Sequence, residues 1–227
     1  MNPLQGLIFD FNGVLVIDQH LHDEVFRDIS RKIMGRTLTE EEFATSVHGR
    51  TNKLIFEFLH GRELAPEELE KAATEKELAY QEISKQQGAA YKLSPGSEAL
   101  LKELKSKDIP YTIATSSPKM NVDFFEEMLG LSTWFDMTKV VYDDGTVRGK
   151  PAPDLYLKAA AALNLDPAAC VVIEDARSGI ASAHAAGIGH IIAIGPKDTH
   201  ITLSSLEGVN ECIETLAEVN VEALFGK

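Results

Sequence analysis

Four short runs of the chain are apolar at successive positions: Leu7-Ile8-Phe9, Tyr111-Thr112-Ile113-Ala114, Cys170-Val171-Val172-Ile173 and Ile191-Ile192-Ala193-Ile194. A strand with one wet face alternates apolar and polar residues. A strand that is apolar throughout is covered on both faces, as in a parallel sheet between helix layers. Helical spacing fills the intervals between the later runs. Leu100, Leu101 and Leu104 share one face, and Tyr156, Ala159, Ala160 and Leu163 share another. Strand and helix in alternation predict an α/β, doubly wound domain.

One interval departs from this rhythm. Between Val16 and Tyr91 the patterns are helical, with no buried strand evident. Leu21, Val25, Ile29 and Ile33 form an i, i+4 stripe. A second stripe of Leu69, Ala72, Ala73, Tyr80 and Ile83 opens at Pro66, with Glu67 and Glu68 in its first turn. Thr39 and Glu42 have the spacing of a capping box. The pattern predicts a helical domain over residues 16–91, inserted into an α/β core made of residues 1–15 and 92–227. A closing helix is expected over Leu216–Phe225, and Asp143-Asp144-Gly145 reads as a turn.

Length and composition fit that division, since 227 residues with 44% hydrophobic content can bury the core of two modest domains. A net charge of −13 argues against nucleic acid or an anionic membrane as partner, because both require a basic footprint. It leaves room for a small phosphorylated molecule gripped by local donors. Cys170 and Cys212 are the only cysteines, so no disulfide framework is expected and each reads as a small hydrophobe. Neither a signal-like segment nor a membrane-spanning run is seen. The expectation is a cytoplasmic protein, a monomer or weak dimer.

In an open parallel sheet, ligands bind beyond the carboxyl ends of the strands. There the chain carries Asp10-Phe11-Asn12-Gly13-Val14, Thr115-Ser116-Ser117 and Glu174-Asp175, with Gly149-Lys150-Pro151-Ala152-Pro153-Asp154 ahead of the third strand. Asp10 and Asp175 offer the carboxylate oxygens that Mg²⁺ prefers. The Thr115 hydroxyl and the backbone N–H of Ser116, expected to open the next helix, suit a phosphate oxygen. Lys150 supplies a cation to offset the crowded charge. A nicotinamide oxidoreductase and a P-loop NTPase are both disfavoured, since neither glycine-rich phosphate motif is present. His60, His184, His190 and His200 show no metal-ligand spacing.

Taken in order, these four motifs resemble the haloacid dehalogenase superfamily, in its β-phosphoglucomutase-like branch with a helical cap of the C1 type. The resemblance covers nearly the whole chain and includes the position of the insertion. It implies Mg²⁺ as cofactor, held by Asp10, the Asn12 backbone carbonyl, Asp175 and Glu174, the last directly or through water. Asp10 becomes the nucleophile that forms an aspartyl-phosphate, and Thr115, Ser116 and Lys150 hold the phosphoryl group. His48, Gly49 and Arg50 match the substrate-reading cap loop, and His22 a histidine near the hinge.

The departure is Asn12, where family phosphatases and mutases carry an aspartate that protonates the leaving oxygen and activates water. An amide does neither, so an attenuated hydrolase of a small phosphorylated metabolite, such as a sugar phosphate, is the leading expectation. A phosphomutase is the alternative; mutase relatives place arginine where this chain has Asn52. A non-catalytic binder of phosphorylated ligands is a third reading. A phosphonoacetaldehyde hydrolase is a weaker fourth, since its cap lysine has only Lys53 nearby.

Overall fold

The computed structural model describes residues 3–226. Six strands form one parallel sheet: β1 (Gly6–Phe9), β2 (Tyr111–Pro118), β3 (Val141–Asp143), β4 (Cys170–Glu174), β5 (His190–Ile194) and β6 (Val209–Ile213), in the order β3-β2-β1-β4-β5-β6. β1 lies at the centre, so the loop after it opens beside β2 and β4, where the strand order reverses.

The continuous apolar runs are divided between two faces by the period of two. Leu7, Phe9, Val171, Ile173, Ile192 and Ile194 point into one core cluster. Ile8, Cys170, Val172, Ile191 and Ala193 point into the other. Counting helices along the chain, α1 (Gln19–Met34), α2 (Glu40–Glu42), α3 (Asn52–His60) and α4 (Pro66–Gln86) form the inserted cap. The sheet is covered by α5 (Ser97–Ser106), α6 (Lys119–Leu129), α7 (Asp154–Ala162), α8 (Arg177–Ala185), α9 (His200–Ser204) and α10 (Val221–Phe225). Leu100, Leu101 and Leu104 of α5 join the first cluster, and Tyr156, Ala159 and Ala160 of α7 the second.

The cap has its own core of Phe26, Leu38, Phe43, Val47, Ile55, Phe56 and Leu59. Both predicted stripes are helices, and Pro66 opens α4. The Thr39–Glu42 capping box forms, with Glu42 N–H to Thr39 Oγ1 at 3.1 Å and Thr39 N–H to Glu42 Oε2 at 2.8 Å. Beyond it the chain widens into a π-helical turn, Phe43–Val47, closed by an i→i+5 bond from His48 N–H to Phe43 O.

Several elements differ from the sequence reading. β3 and β6 are edge strands; β3 is half-buried throughout, and β6 buries only Ile213, so neither shows an apolar run. Asp143 ends β3, and its carboxylate accepts from Gly145 N–H in the predicted turn. Ser116 does not open a helix: β2 runs on to Pro118 through an irregular register, and α6 starts at Lys119. The segment Leu216–Phe225 is a 3₁₀ turn, Leu216–Glu218, followed by α10, because Asn220 breaks the run and caps Ala223 N–H. Among the described residues, no helix is long and apolar enough to cross a membrane.

Candidate active site

The carboxyl end of β1 delivers Asp10, whose N–H bonds to Ile173 O at 3.0 Å and whose carboxylate is nearly buried. Lys150 is fully buried beneath it. Its Nζ reaches Asp10 Oδ1 at 2.7 Å, Glu174 Oε1 at 2.6 Å and Ala114 O at 3.4 Å, which occupies all three N–H donors. The oxygens of Glu174 are also engaged: Tyr156 Oη donates to Oε1 at 3.0 Å and Ala176 N–H to Oε2 at 2.8 Å. Lys150 and Glu174 therefore form the floor that fixes the direction of Asp10.

Asp10, Glu174 and Asp175 bring carboxylate oxygens within 4.8 Å of one another. Burial pushes the Asp10 carboxyl up to about 7; Lys150 pulls against that rise and Glu174 adds to it. Asp175 is held well above the usual carboxylate range by burial, then by Glu174 and Asp10. Burial alone would lower Lys150, yet Asp10 and Glu174 together hold it above the ordinary lysine range. Three carboxylates facing one ammonium leave excess negative charge in a buried place, and a hard divalent cation fits that donor set. Gly13 makes room for the Asp175 carboxylate. At φ +83° it takes a left-handed turn, and a Cβ there would fall 2.1 Å from Asp175 Oδ2.

Above this floor lies a cavity of about 80 Å³. Asp10, Asn12, Thr115, Ser116 and Asp175 line it from the core; His22, His48, Gly49 and Arg50 line it from the cap. Lys150 and Glu174 sit behind that wall. The cap loop is seated on the core by two hydroxyls. Ser116 Oγ donates to Gly49 O at 2.8 Å and Ser178 Oγ to His48 O at 2.7 Å. Arg50 Nε is buried in the wall with no hydrogen-bond partner among the described residues, and Thr115 Oγ1 accepts from Ser117 N–H at 3.1 Å.

Asn12 is tied at both ends of its amide. Nδ2 donates to Asp18 Oδ2 at 2.8 Å, and Ser117 Oγ donates to Oδ1 at 2.8 Å. Tyr80 Oη donates to the same Asp18 oxygen and lies 2.9 Å from Tyr91 Oη, so the network joins the loop after β1 to both connections of the cap. Burial pushes Asp18 up to about 6 against the hydrogen bonds from Tyr80 and Asn12. Raised carboxyls carry a signed prediction. Their folded values lie above the unfolded 3.8, so their cost is absent below about pH 4 and develops as pH rises through 6 and 7. Asp18→Asn should flatten that loss of metal-free stability by on the order of 2–3 kcal/mol. Urea unfolding of parent and variant at pH 4.5 and pH 8, in chelator, reads the difference; parallel changes in the two proteins would contradict a buried charge at Asp18.

Several wall residues lie outside the sequence motifs. Lys76 and Glu77 of α4 are buried; Lys76 Nζ lies 3.1 Å from His22 Nδ1, and Asn52 Nδ2 donates to Glu77 Oε1 at 2.6 Å. From α6, Asn121 Nδ2 donates to Glu77 Oε2 at 2.7 Å, linking cap to core. The signal was present, since Lys76 interrupts an apolar stripe one turn before Tyr80. Lys53 is exposed and points to Glu57 at 4.0 Å, away from the cavity.

With this geometry in place, comparison with known proteins is direct. Residues 4–187 match the family model for haloacid dehalogenase-like hydrolases. A crystal structure of a HAD hydrolase, family IA, variant 3, from Entamoeba histolytica is 38% identical, covers 98% of each chain and superposes with a TM-score of 0.86. Hexitol phosphatase A of Escherichia coli is 32% identical, over 90% of this chain and 93% of its own. β-Phosphoglucomutase from Clostridium difficile is 25% identical, with a TM-score of 0.78 over 97% of this chain and 95% of its own. The chain belongs to the haloacid dehalogenase-like hydrolases. Within that family it falls in the β-phosphoglucomutase-like branch.

Proposed function

We propose that this chain is a Mg²⁺-dependent phosphatase of a small phosphorylated metabolite, of the sugar-phosphate kind, acting through an aspartyl-phosphate on Asp10. The observation that carries the reading is the buried Lys150, locked between Asp10 Oδ1 at 2.7 Å and Glu174 Oε1 at 2.6 Å, which aims one carboxylate at the small cavity between core and cap. Residues 16–91 act as the cap domain over a core of residues 1–15 and 92–227. Asp10, Asp175 and the Asn12 carbonyl would hold Mg²⁺, with Glu174 as the third carboxylate of the cluster. The ion supplies charge stabilisation for phosphoryl oxygens.

Asp10 attacks phosphorus while Thr115 and Ser116 bind the phosphoryl oxygens; Lys150 fixes the attack direction and offsets the negative charge. Closure of the cap over the bound substrate would exclude water during this step. Arg50, whose Nε has no partner among the described residues, and the His22–Lys76 pair face the rest of the substrate. Hydrolysis is favoured over mutase chemistry because Asn52, bound to Glu77, stands where mutase relatives place arginine.

Binding a ligand to the folded state alone at about 100 times its Kd adds roughly 2.7 kcal/mol. Millimolar Mg²⁺ should therefore raise the melting temperature of this chain but not of Asp175→Asn. No shift in the parent would remove the metal site. The gain should grow from pH 5.5 to pH 8, as the ion must displace a proton from Asp10, which titrates near 7.

Asn12 attenuates the enzyme, since its amide cannot donate or remove a proton in the reaction. Asn12→Asp is expected to raise kcat on an alkyl phosphate roughly 10²-fold. The new carboxyl would face Asp18 where Nδ2 now donates at 2.8 Å, so the two would share one proton and keep an acid available. Equal kcat for parent and variant would show that position 12 limits nothing.

A further inference from the structure

An amide at position 12 leaves open which group moves the protons, and the cavity wall narrows the choice. Glu77 is spent, because Lys76, Asn52 and Asn121 all donate to its oxygens. His22 is spent as a base, with Lys76 Nζ at 3.1 Å from Nδ1. It is also a poor acid, since burial, then the charges of Lys76, His48 and His20, keep its pKa well below the usual histidine range.

His48 is different. Its Nε2 lies 2.9 Å from Asp23 Oδ1, and its Nδ1 makes no hydrogen bond among the described residues. The surroundings fix this ring. The π-helical turn closes with His48 N–H bonded to Phe43 O at 2.9 Å, which stacks the imidazole on the Phe43 ring with centroids 5.7 Å apart. Arg27 stands 4.0 Å from the other Asp23 oxygen. Ser178, three residues beyond Asp175, anchors the His48 carbonyl to the core. An imidazole held by a carboxylate at one nitrogen and free at the other is the arrangement in which histidine serves as a general acid and base.

We propose that His48, oriented by Asp23, is the general acid–base of this enzyme in place of a carboxyl at position 12. The proposal rests on the phosphatase reading. In the first half-reaction Asp10 forms its bond to phosphorus, the bond from phosphorus to the ester oxygen breaks, and that oxygen takes the His48 Nδ1 proton, releasing an alcohol. In the second, neutral His48 takes a proton from water as the water oxygen bonds to phosphorus. The bond to Asp10 breaks, giving inorganic phosphate, a free carboxylate and imidazolium.

The test compares parent and Asn12→Asp, each with and without His48→Ala, in Mg²⁺, on an alkyl phosphate and on p-nitrophenyl phosphate, with the Asp10 adduct trapped in single turnover. In the parent background, His48→Ala should cost roughly 10² in turnover of the alkyl ester. With the aryl ester, whose leaving group needs little protonation, the adduct should form at close to the parental rate and break down slowly. Free imidazole should recover about 10-fold or more of the lost rate, and His48→Gln, which can still bond to Asp23, should lose as much as His48→Ala. In the Asn12→Asp background the loss should shrink to about 10-fold or less, a non-additivity that a merely structural role would not produce. Equal losses on both esters and in both backgrounds, without imidazole rescue, would overturn the proposal, as would His48-independent breakdown of a trapped adduct. Failure to trap any adduct in the parent would overturn the phosphatase reading together with it.

Discussion

Asp10→Asn is expected to lower phosphatase turnover by roughly 10⁴-fold or more while leaving the metal-free protein at least as stable as the parent. The two effects have one cause. The Asp10 carboxyl sits at about 7 because burial and Glu174 oppose its ionisation. Holding that charge in a buried place costs the fold stability, and an amide removes the cost together with the proposed nucleophile. Asn Oδ1 can still accept the Lys150 hydrogen bond, now 2.7 Å long. Steady-state kinetics and denaturant unfolding on the same preparation check both halves. A variant that retained turnover would place the nucleophile elsewhere, and one that lost its fold would make Asp10 a structural residue.

Lys150→Met should lose on both counts. Lys150 is fully buried and is the ammonium that compensates a cluster of three carboxylates. Removing one partner of a buried ion pair is far more damaging than the net worth of the pair, because the remaining charges stay desolvated. The expected cost is about 3–5 kcal/mol in the metal-free protein. Turnover should drop by roughly 10² to 10³, the range seen when one electrostatic donor is removed from a reaction site. Mg²⁺ should recover part of the stability, since a divalent cation answers the same excess charge. A neutral effect on unfolding would mean that the carboxylates are protonated in the metal-free state and that Lys150 offsets nothing.

The sequence made the centre of the sheet legible because β1, β4 and β5 are buried on both faces and leave continuous apolar runs. Edge strands leave no such run: in β6 only Ile213 is buried, and β3 is three half-buried residues. Three of the four chemical motifs were legible for a related reason, as they sit at the carboxyl ends of β1, β2 and β4, while the Lys150 motif lies in the loop between β3 and α7. Interactions across the cap were not. Tyr91, Tyr80 and Asp18 form a hydrogen-bonded chain that reaches Asn12 only through Asp18, and most of its links join distant parts of the sequence. The Asp23–His48 pair depends on a π-helical turn that no simple apolar period announces. Lys76 was the readable exception, a charge inside an apolar stripe.

The claim on which the rest depends is that Asp10 carries the phosphoryl group. It is tested most directly by quenching a single turnover of the unaltered chain with Mg²⁺ and a phosphate ester, reducing with borohydride and sequencing the peptides by mass spectrometry. The account predicts that Asp10 alone is reduced, in proportion to substrate turned over, and that the signal persists because breakdown of the adduct is slow in a chain with Asn12. Reduction at another carboxylate, or multiple turnovers with Asp10 unmodified at every quench time, would contradict it.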